Sequence, residues 1–538
     1  MRTPVLIAGA GPVGLALACE LGWRGIDCTL IEQGDGVVSF PAGEAIFVRT
    51  MEHLRRWGIA SQVARSPFPV DYPRNVVFVT RILGREIARF ERPSNGQALA
   101  RAGEVSPEAP IWCPKMFFDP LLASFAKAQP SVTLCYGTTL TSFESTSDGV
   151  TVHARAAHGA EIVLESQYFV GCDGGRSLVR PQLGIDFEGS FAEGHNFSIF
   201  FRAPGLLEHQ PHGLASQYLT LASRHRSSLA AVDGRDLWRL SLYIEPGEVD
   251  DIDPMACIKD AFGGPVDAEI LKAQAWSGHR VVAKSYRRGR VFLAGDAAHM
   301  LWPKGGFGAN TGIGDAVDLG WKLAATLQGW AGPRLLDSYE AERRPIAARN
   351  VQEAASNREA DGLLPAGGEL EESSARGDTA RETAGRQIRE TRWKEWNTLG
   401  VQLGYRYSRS PVVIPDGTPE PPDKPSEYVP TTWPGVRAPH AWIGEGRSTL
   451  DAFGRGFVLA HGGRHDVQPL LAAAALARVP LEALALPRSA RELYQTELVL
   501  VRPDGHVAWR GNQVPEDFGA ILAQVTGHTP APIEGERA

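Results

Sequence analysis

Residues 5–33 read VLIAGAGPVGLALACELGWRGIDCTLIEQ. The pattern predicts a buried strand, a glycine-rich turn, a helix and a second strand that ends at Glu32. Gly9 permits the tight turn, Gly11 lets a pyrophosphate approach the backbone, and Gly14 lets the helix pack closely on the strand. Glu32 is placed to bond a ribose hydroxyl pair. The stretch therefore predicts a Rossmann-like unit with a dinucleotide at a helix N-terminus, but it does not decide between FAD and NAD.

Two later segments favour a flavin cofactor over NAD. Residues 169–175, FVGCDGG, predict a strand with Asp173 at its end. Residues 289–319, GRVFLAGDAAHMLWPKGGFGANTGIGDAVDL, predict a second strand that ends at Asp296, a loop, and a long helix with a glycine-rich start. Exposed N–H groups at that start would stabilise an anion, and a reduced flavin is anionic at its pyrimidine edge.

The three motifs in this order resemble the class A FAD-dependent aromatic hydroxylases, the para-hydroxybenzoate hydroxylase superfamily. The stretches GGFGANTGIGDAVDLGWKLAATLQGWAGP, FGRGFVLA and LVRPDGHVAWRG are most similar to the flavin hydroxylases of rebeccamycin and staurosporine assembly, and related branches hydroxylate polyketides. The resemblance implies an α/β fold. It consists of a Rossmann-like FAD-binding domain, an inserted mainly β substrate domain and a C-terminal thioredoxin-like domain.

The expected domain boundaries follow from this architecture. We expect the FAD-binding domain with a helical extension at 1–73, 111–185 and 286–395, and the substrate-binding β-sheet domain at 74–110 and 186–285. A proline-rich linker is expected at 396–440, and the thioredoxin-like domain at 441–530. The last domain contains no C-x-x-C pair, so we expect a structural or dimer-contact role for it.

The resemblance also implies a set of cofactor-binding residues. Asp296 would bond the ribityl chain, the loop Pro303–Gly308 would lie against the flavin ring, and Asp173 would serve both FAD and NAD(P)H. The complete predicted set is Gly9, Gly11, Pro12, Gly14, Glu32, Gln33, Arg49, Lys115, Asp173, Asp296, Pro303, Gly306, Gly308 and Asn310.

Two positions depart from the family pattern near the expected cofactor site. The family usually has Pro-Arg where this chain has Pro41-Ala42, and Pro-Gln where it has Pro114-Lys115. Alanine removes a charge-assisted contact worth about 1.5–3 kcal/mol. Lys115 would restore positive charge from another direction, so the departures concern flavin affinity and mobility rather than the fold.

The substrate-binding prediction rests on an alternating strand. In residues 237–243, Trp238, Leu240 and Leu242 share one face, and the other face carries Arg239 and Tyr243. Arg239 matches a pocket arginine of the indolocarbazole branch, although a solvent-facing arginine on a half-exposed strand gives the same pattern. The predicted substrate-binding residues are Arg239, Tyr243 and Tyr218. We assign no catalytic residue and no metal ligand.

The resemblance implies a reaction in which NAD(P)H reduces FAD, O2 adds to give a flavin C4a-hydroperoxide, and an aromatic (phenolic or polycyclic) ring takes up the distal oxygen. One alternative is a Baeyer–Villiger or decarboxylative flavin oxygenase of a natural-product pathway. Another, motivated by Ala42 and Lys115, is a flavin-poor protein that sequesters a reactive intermediate.

Composition limits the partners. The net charge of −7 does not indicate the positively charged surface that binds nucleic acid. The six cysteines are scattered, and no apolar run approaches the length of a membrane helix. The first strand begins almost at the first residue. We therefore expect a cytoplasmic enzyme, monomeric or homodimeric, whose partners are a small aromatic substrate, O2 and NAD(P)H.

Overall fold

The computed structural model describes residues 2–206 and 210–528 and contains two eight-stranded sheets and a four-stranded sheet. Its strands are β1 (Arg2–Ala8), β2 (Cys28–Ile31), β3 (Ala45–Ile46), β4 (Val76–Val79), β5 (Glu86–Phe90), β6 (Ile111–Trp112), β7 (Val132–Cys135), β8 (Thr138–Ser145), β9 (Val150–Ala156), β10 (Glu161–Gly171), β11 (Phe187–Arg202), β12 (Gln217–Thr220), β13 (Ser227–Ala231), β14 (Leu237–Ile244), β15 (Glu269–Ala283), β16 (Arg287–Arg288), β17 (Val291–Leu293), β18 (His299–Met300), β19 (Trp442–Gly444), β20 (Arg447–Ser448), β21 (Phe457–His461), β22 (Leu481–Ala485), β23 (Leu498–Val501) and β24 (Val507–Gly511).

The helices follow the predicted pattern of an α/β chain. They are α1 (Pro12–Trp23), α2 (Val48–Trp57), α3 (Ala60–Ala64), α4 (Asn95–Ala100), α5 (Lys115–Lys127), α6 (Val179–Gln182), α7 (Pro254–Phe262), α8 (Phe307–Leu327), α9 (Ser338–Gly362), α10 (Ala375–Trp396), α11 (Leu399–Leu403), α12 (Gln468–Leu476), α13 (Arg488–Tyr494) and α14 (Phe518–Val525). Among the described residues, no helix is both long enough and apolar enough to cross a membrane.

The first large sheet is the Rossmann-like sheet. Its order is β16-β17-β10-β1-β2-β7, and the neighbours from β17 to β7 run parallel. The three strands that end in the sequence motifs, β1, β10 and β17, are adjacent. Since parallel strands end at the same edge of a sheet, Gly9, Asp173 and Asp296 meet there, which confirms the Rossmann-like fold.

The second large sheet has the order β18-β15-β11-β14-β13-β12-β4-β5. Its outer face carries Trp238, Leu240 and Leu242 of β14 and packs in one apolar cluster with residues of α7. The inner face, with Arg239, turns towards the FAD-binding part. One of its strands, β18, lies outside the ranges expected for the substrate domain.

The C-terminal sheet has the order β22-β21-β23-β24, with β21 parallel to β22 and antiparallel to β23. This mixed sheet, with α12, α13 and α14, has the predicted thioredoxin-like arrangement. The proline-rich segment before it has no helix after α11, but Trp433, Val436 and Ala438 are buried within it. The expectation of an extended linker is therefore corrected: the segment packs against the C-terminal sheet, with Val436 accepting a hydrogen bond from the Val507 amide.

A buried ionic network holds the C-terminal domain to the FAD-binding part. Arg502 lies within 3.1 Å of Asp318 on α8, within 2.8 Å of Glu342 on α9 and 2.7 Å from Asp504. Lys322 pairs with the carboxylates of α8 and α9 at 2.7 and 2.6 Å. Burial raises the pKa of Glu342, but the nearby Arg502 and Lys322 outweigh it and hold that pKa well below its usual range. Two cations already pair with this cluster of three acids, and burial raises the pKa of Asp318 well above its usual range, so we interpret it as an interdomain lock and not as a metal site.

Replacing Arg502 by methionine should destabilise the protein by about 3–5 kcal/mol, because Asp318 and Glu342 would then share Lys322 alone and Asp504 would lose its arginine. Thermal unfolding of the protein measures the effect. The control is Arg464→Met, whose side chain is 84% exposed, and it should change stability by less than about 0.5 kcal/mol. Equal unfolding midpoints for the two variants would contradict the lock.

Candidate active site

The three sequence motifs touch one another through glycines. A Cβ built on Gly9 would lie 2.4 Å from the carbonyl oxygen of Cys172, and one on Gly14 would lie 1.9 Å from the carbonyl oxygen of Gly9. On α8, a Cβ at Gly312 would lie 3.0 Å from the Cα of Gly295. These positions require glycine because the backbones of the three segments are in direct contact.

Two other glycines border open space instead. A Cβ on Gly11 or Gly308 would meet nothing within 4 Å. Gly11 precedes α1, and Gly308 lies in the first turn of α8, so both helix starts leave their N–H groups accessible to an anion. Gly305 and Gly306 have φ of 86° and 76°, which lets the loop turn sharply into α8. The chain thus forms an open cradle between two helix N-termini.

Three carboxylates surround this cradle. Glu32 accepts hydrogen bonds from the amides of Ala10 at 2.8 Å and Gly34 at 2.7 Å, so it is fixed beside the first glycine turn. Asp173 accepts hydrogen bonds from two amides that begin α6, and its Oδ1 is buried without a hydrogen bond from any described residue. Asp296 is solvent-exposed, yet protein surrounds it so closely that desolvation raises its pKa. Asp296 therefore faces a deep cleft.

The two departures from the family pattern lie side by side. The amide of Lys115 donates to the carbonyl of Gly43 at 2.9 Å, which places Lys115 next to the segment that contains Ala42. Lys115 forms an ion pair with Asp119 on α5, and its charge also acts on Asp296. Burial raises the pKa of Asp119 to about 6, and Lys115 opposes that rise. Lys115 therefore brings a positive charge to the cleft.

Two predicted cofactor residues have structural partners. Arg49 donates to Glu52 at 2.8 Å and to the carbonyl of Asp504 in the C-terminal domain. Arg49 therefore joins α2 to the C-terminal domain through its two terminal nitrogens. Asn310 accepts from the Phe47 amide at 2.9 Å and donates to the Ala45 carbonyl at 2.9 Å, so it ties α8 to the segment after Ala42. Pro12 begins α1, and Gln33 and Pro303 are exposed.

The inner face of the substrate sheet carries Arg239 and Tyr243, as the alternation predicts. Arg239 is only 17% exposed: its Nη2 lies 2.8 Å from Oε1 of Glu44, and its Nη1 donates to the Pro41 carbonyl at 3.2 Å. The alternative of a solvent-facing arginine is therefore wrong. The Tyr243 hydroxyl donates to Asp361 on α9 at 2.8 Å. Burial raises the pKa of Glu44 above its usual range, although Arg239 acts in the opposite direction.

Tyr218 does not join these residues. It lies opposite Leu229 of β13, which in turn lies opposite Leu240 of β14, so Tyr218 belongs to the outer face. Its hydroxyl donates to the carbonyl of Gly213, and its ring packs in the outer apolar cluster. The prediction of Tyr218 as a substrate residue is wrong.

The structure adds aromatic and polar residues to the inner face. Trp276 of β15 packs with Trp302, just before the glycine loop, at 6.5 Å between ring centroids. Its Nε1 donates to Ser198 at 2.8 Å, and Asn196 pairs across the strands with both Trp276 and Tyr243. Sequence reasoning missed these residues; the alternation of β11 was the available signal for Asn196 and Ser198.

Comparisons with known proteins agree with this geometry. The FAD binding domain family matches residues 2–354, and the aromatic-ring hydroxylase C-terminal family matches residues 431–529. The chain belongs to the FAD-dependent aromatic-ring hydroxylases. A putative polyketide hydroxylase of Streptomyces halstedii is 35% identical, covering 95% of this chain and 94% of the relative. The FAD-dependent monooxygenase apdD of Emericella nidulans is 31% identical, covering 97% of this chain and 90% of the relative.

Solved structures are similar over nearly the whole hydroxylase chain. The rebeccamycin biosynthetic enzyme RebC with reduced flavin has a TM-score of 0.92 at 38% identity, covering 98% of this chain and 99% of that chain. A ternary complex of aklavinone-11 hydroxylase with FAD and aklavinone has a TM-score of 0.83 at 30% identity, covering 98% and 99%. The predicted class, an FAD-dependent monooxygenase, is confirmed.

The cradle fits FAD. Gly11 and Gly308 leave room for a ligand against bare backbone, and the buried Oδ1 of Asp173 and the cleft-facing Asp296 offer acceptors for hydroxyl groups. We infer that Gly11, Glu32 and the start of α1 hold the adenosine and pyrophosphate half, and that Asp296 and residues 303–308 hold the flavin half.

Gly11→Ala should weaken FAD binding about tenfold or more without disturbing the fold, because the added methyl enters the cradle and meets no protein atom. FAD titration and the thermal midpoint of the FAD-free protein measure the two effects. Gly368→Ala is the control, since its Cβ also meets nothing within 4 Å but lies away from the cradle. Wild-type FAD affinity in the Gly11 variant would refute the assignment.

Asp119→Asn tests the acid beside Lys115. The raised pKa of Asp119, about 6, means that its contribution to stability is present below the unfolded pKa and is lost as pH rises through 6. Between pH 4.5 and 7.5, the wild type should therefore lose about 2 kcal/mol relative to the variant. Urea unfolding at the two pH values measures this, with the exposed Asp148→Asn as control. A pH-independent difference would be evidence against the raised pKa.

Proposed function

We propose that the enzyme hydroxylates a phenolic ring of a polycyclic aromatic substrate, with NAD(P)H as the reductant and O2 as the source of the oxygen atom. The observation that carries the proposal is the inner face of the substrate sheet. It presents Arg239 within a largely aromatic wall, and it adjoins the glycine loop 303–308 through the contact of Trp276 with Trp302. The relatives named as polyketide hydroxylases and the aklavinone complex support a polycyclic substrate.

FAD, when bound, would supply the redox chemistry, namely hydride transfer from the nicotinamide and transfer of one oxygen atom of O2 to the ring. The balanced reaction converts ring C–H, O2, NAD(P)H and a proton into ring C–OH, water and NAD(P)⁺. The second oxygen atom leaves as water.

The chain's own residues orient and protect the reactants. Amides at the start of α8 stabilise negative charge beside the glycine loop. Arg239 orients an oxygen substituent of the substrate through a charge-assisted hydrogen bond. The indole rings of Trp276 and Trp302 cover one side of the site and exclude water from it.

Anaerobic reduction of the holoenzyme by NADH and by NADPH tests the proposal, with phenols, hydroxyquinones and hydroxylated polycyclic aromatics added in turn. A true substrate should accelerate flavin bleaching, and aerobic turnover under ¹⁸O2 should give a product with one labelled oxygen. Arg239→Met should lower kcat/KM about 10–100-fold, the value of a charge-assisted hydrogen bond. Arg235→Met, an exposed arginine before the same strand, is the control.

Two other outcomes would overturn the proposal. A product with an oxygen inserted into a ring, or with lost CO2, would favour a Baeyer–Villiger or decarboxylative oxygenase. A colourless protein that binds the aromatic compounds without consuming NAD(P)H would favour a protein that sequesters an intermediate.

A further inference from the structure

A buried carboxylate stands beside the substrate arginine. The Glu44 side chain is 9% exposed, and its Oε1 lies 2.8 Å from Nη2 of Arg239. This contact is an ion pair without a hydrogen bond, and in residues 2–206 and 210–528 the buried atoms Glu44 Oε1 and Arg239 Nε both have no hydrogen-bond partner. Buried polar atoms without partners are rare in native proteins, and a bound ligand is one way to satisfy them.

These unpartnered atoms share one wall of the site. Arg239 lies opposite Phe200 of β11 and points to the same face as Asn196, four residues away on that strand. The Nδ2 of Asn196 is likewise buried and has no partner within the described part of the chain. Glu44 completes this wall from the segment that precedes β3. The wall therefore offers two donors, Arg239 Nε and Asn196 Nδ2, and one acceptor, Glu44 Oε1.

We propose that Glu44 determines substrate specificity by neutralising Arg239, so that the site selects a neutral aromatic with adjacent phenol and carbonyl groups over an aromatic carboxylate. The phenol O–H donates to Glu44, and the carbonyl oxygen accepts from Arg239. A carboxylate in the same position would face the Glu44 anion, and like charges at a desolvated site oppose binding strongly. The inference rests on the proposed function, since it assigns the substrate class of that same site.

The test compares two matched probes on the oxidised holoenzyme. 1-Hydroxyanthraquinone is neutral and has adjacent phenol and carbonyl groups, and anthraquinone-1-carboxylate replaces the hydroxyl by an anion. Their dissociation constants are measured at pH 7.5 from changes in the flavin absorbance. Wild type should bind the neutral probe more tightly, and Glu44→Gln should shift the affinity ratio towards the carboxylate by about tenfold or more.

A matched variant separates this effect from a structural one. Glu108 is also a largely buried glutamate paired with an arginine, at 3.2 Å from Arg55, but outside the substrate sheet. Glu108→Gln should leave the probe ratio unchanged. Loss of stability alone would weaken both probes together and would not invert their order.

Two failures are distinguishable. If both probes bind and Glu44→Gln changes their ratio by less than twofold, the role of Glu44 is refuted while the proposed function stands. If no phenolic compound accelerates flavin reduction in the wild type, the proposed function fails, and the inference fails with it.

Discussion

The site depends on the close approach of three backbone segments that are distant in sequence. The turn at Gly9 contacts the end of β10, Gly14 contacts that turn, and Gly312 of α8 contacts the turn after β17. Any side chain at these points would separate the segments, so the glycines bring the ends of three parallel strands together as bare backbone. The same contacts aim the starts of α1 and α8 at one cleft. Everything else in the site, including the carboxylates and the substrate sheet, is positioned relative to this junction.

The sequence predicted the structure correctly where apolar and polar residues alternate, or where motifs follow one another, within a short stretch of chain. The strand, glycine and helix order of the FAD-binding part is local, and the alternation of β14 separates apolar from polar residues, so both faces were predicted correctly. It failed for Tyr218, because three of the four residues of β12 are buried and no contrast marks the two faces. The prediction of an extended linker for the proline-rich segment was wrong for a related reason. Prolines exclude a helix, but they do not determine whether the chain packs against its neighbours.

Contacts between residues that are far apart in the chain could not be predicted from the sequence. The contact between Arg49 and Asp504 spans 455 residues, and it links the FAD-binding part to a domain that sequence spacing treats as separate. The pairing of Glu44 with Arg239 likewise joins two domains. An arginine or glutamate in a single sequence does not reveal its partner, because ion pairs across domains have no fixed spacing. Arg502 is the extreme case, since its three carboxylate partners come from two helices and a hairpin turn.

The departures at Ala42 and Lys115 can be understood as one rearrangement of charge. Ala42 lies between Pro41, whose carbonyl accepts a hydrogen bond from Arg239, and Glu44, which pairs with the same arginine. Alanine leaves Arg239 as the cation paired with Glu44. Lys115, on the adjoining segment, returns a positive charge on the side of Asp296 instead. This segment therefore sets the Glu44 carboxylate beside the substrate arginine, while Lys115 brings a cation to the cleft beside Asp296.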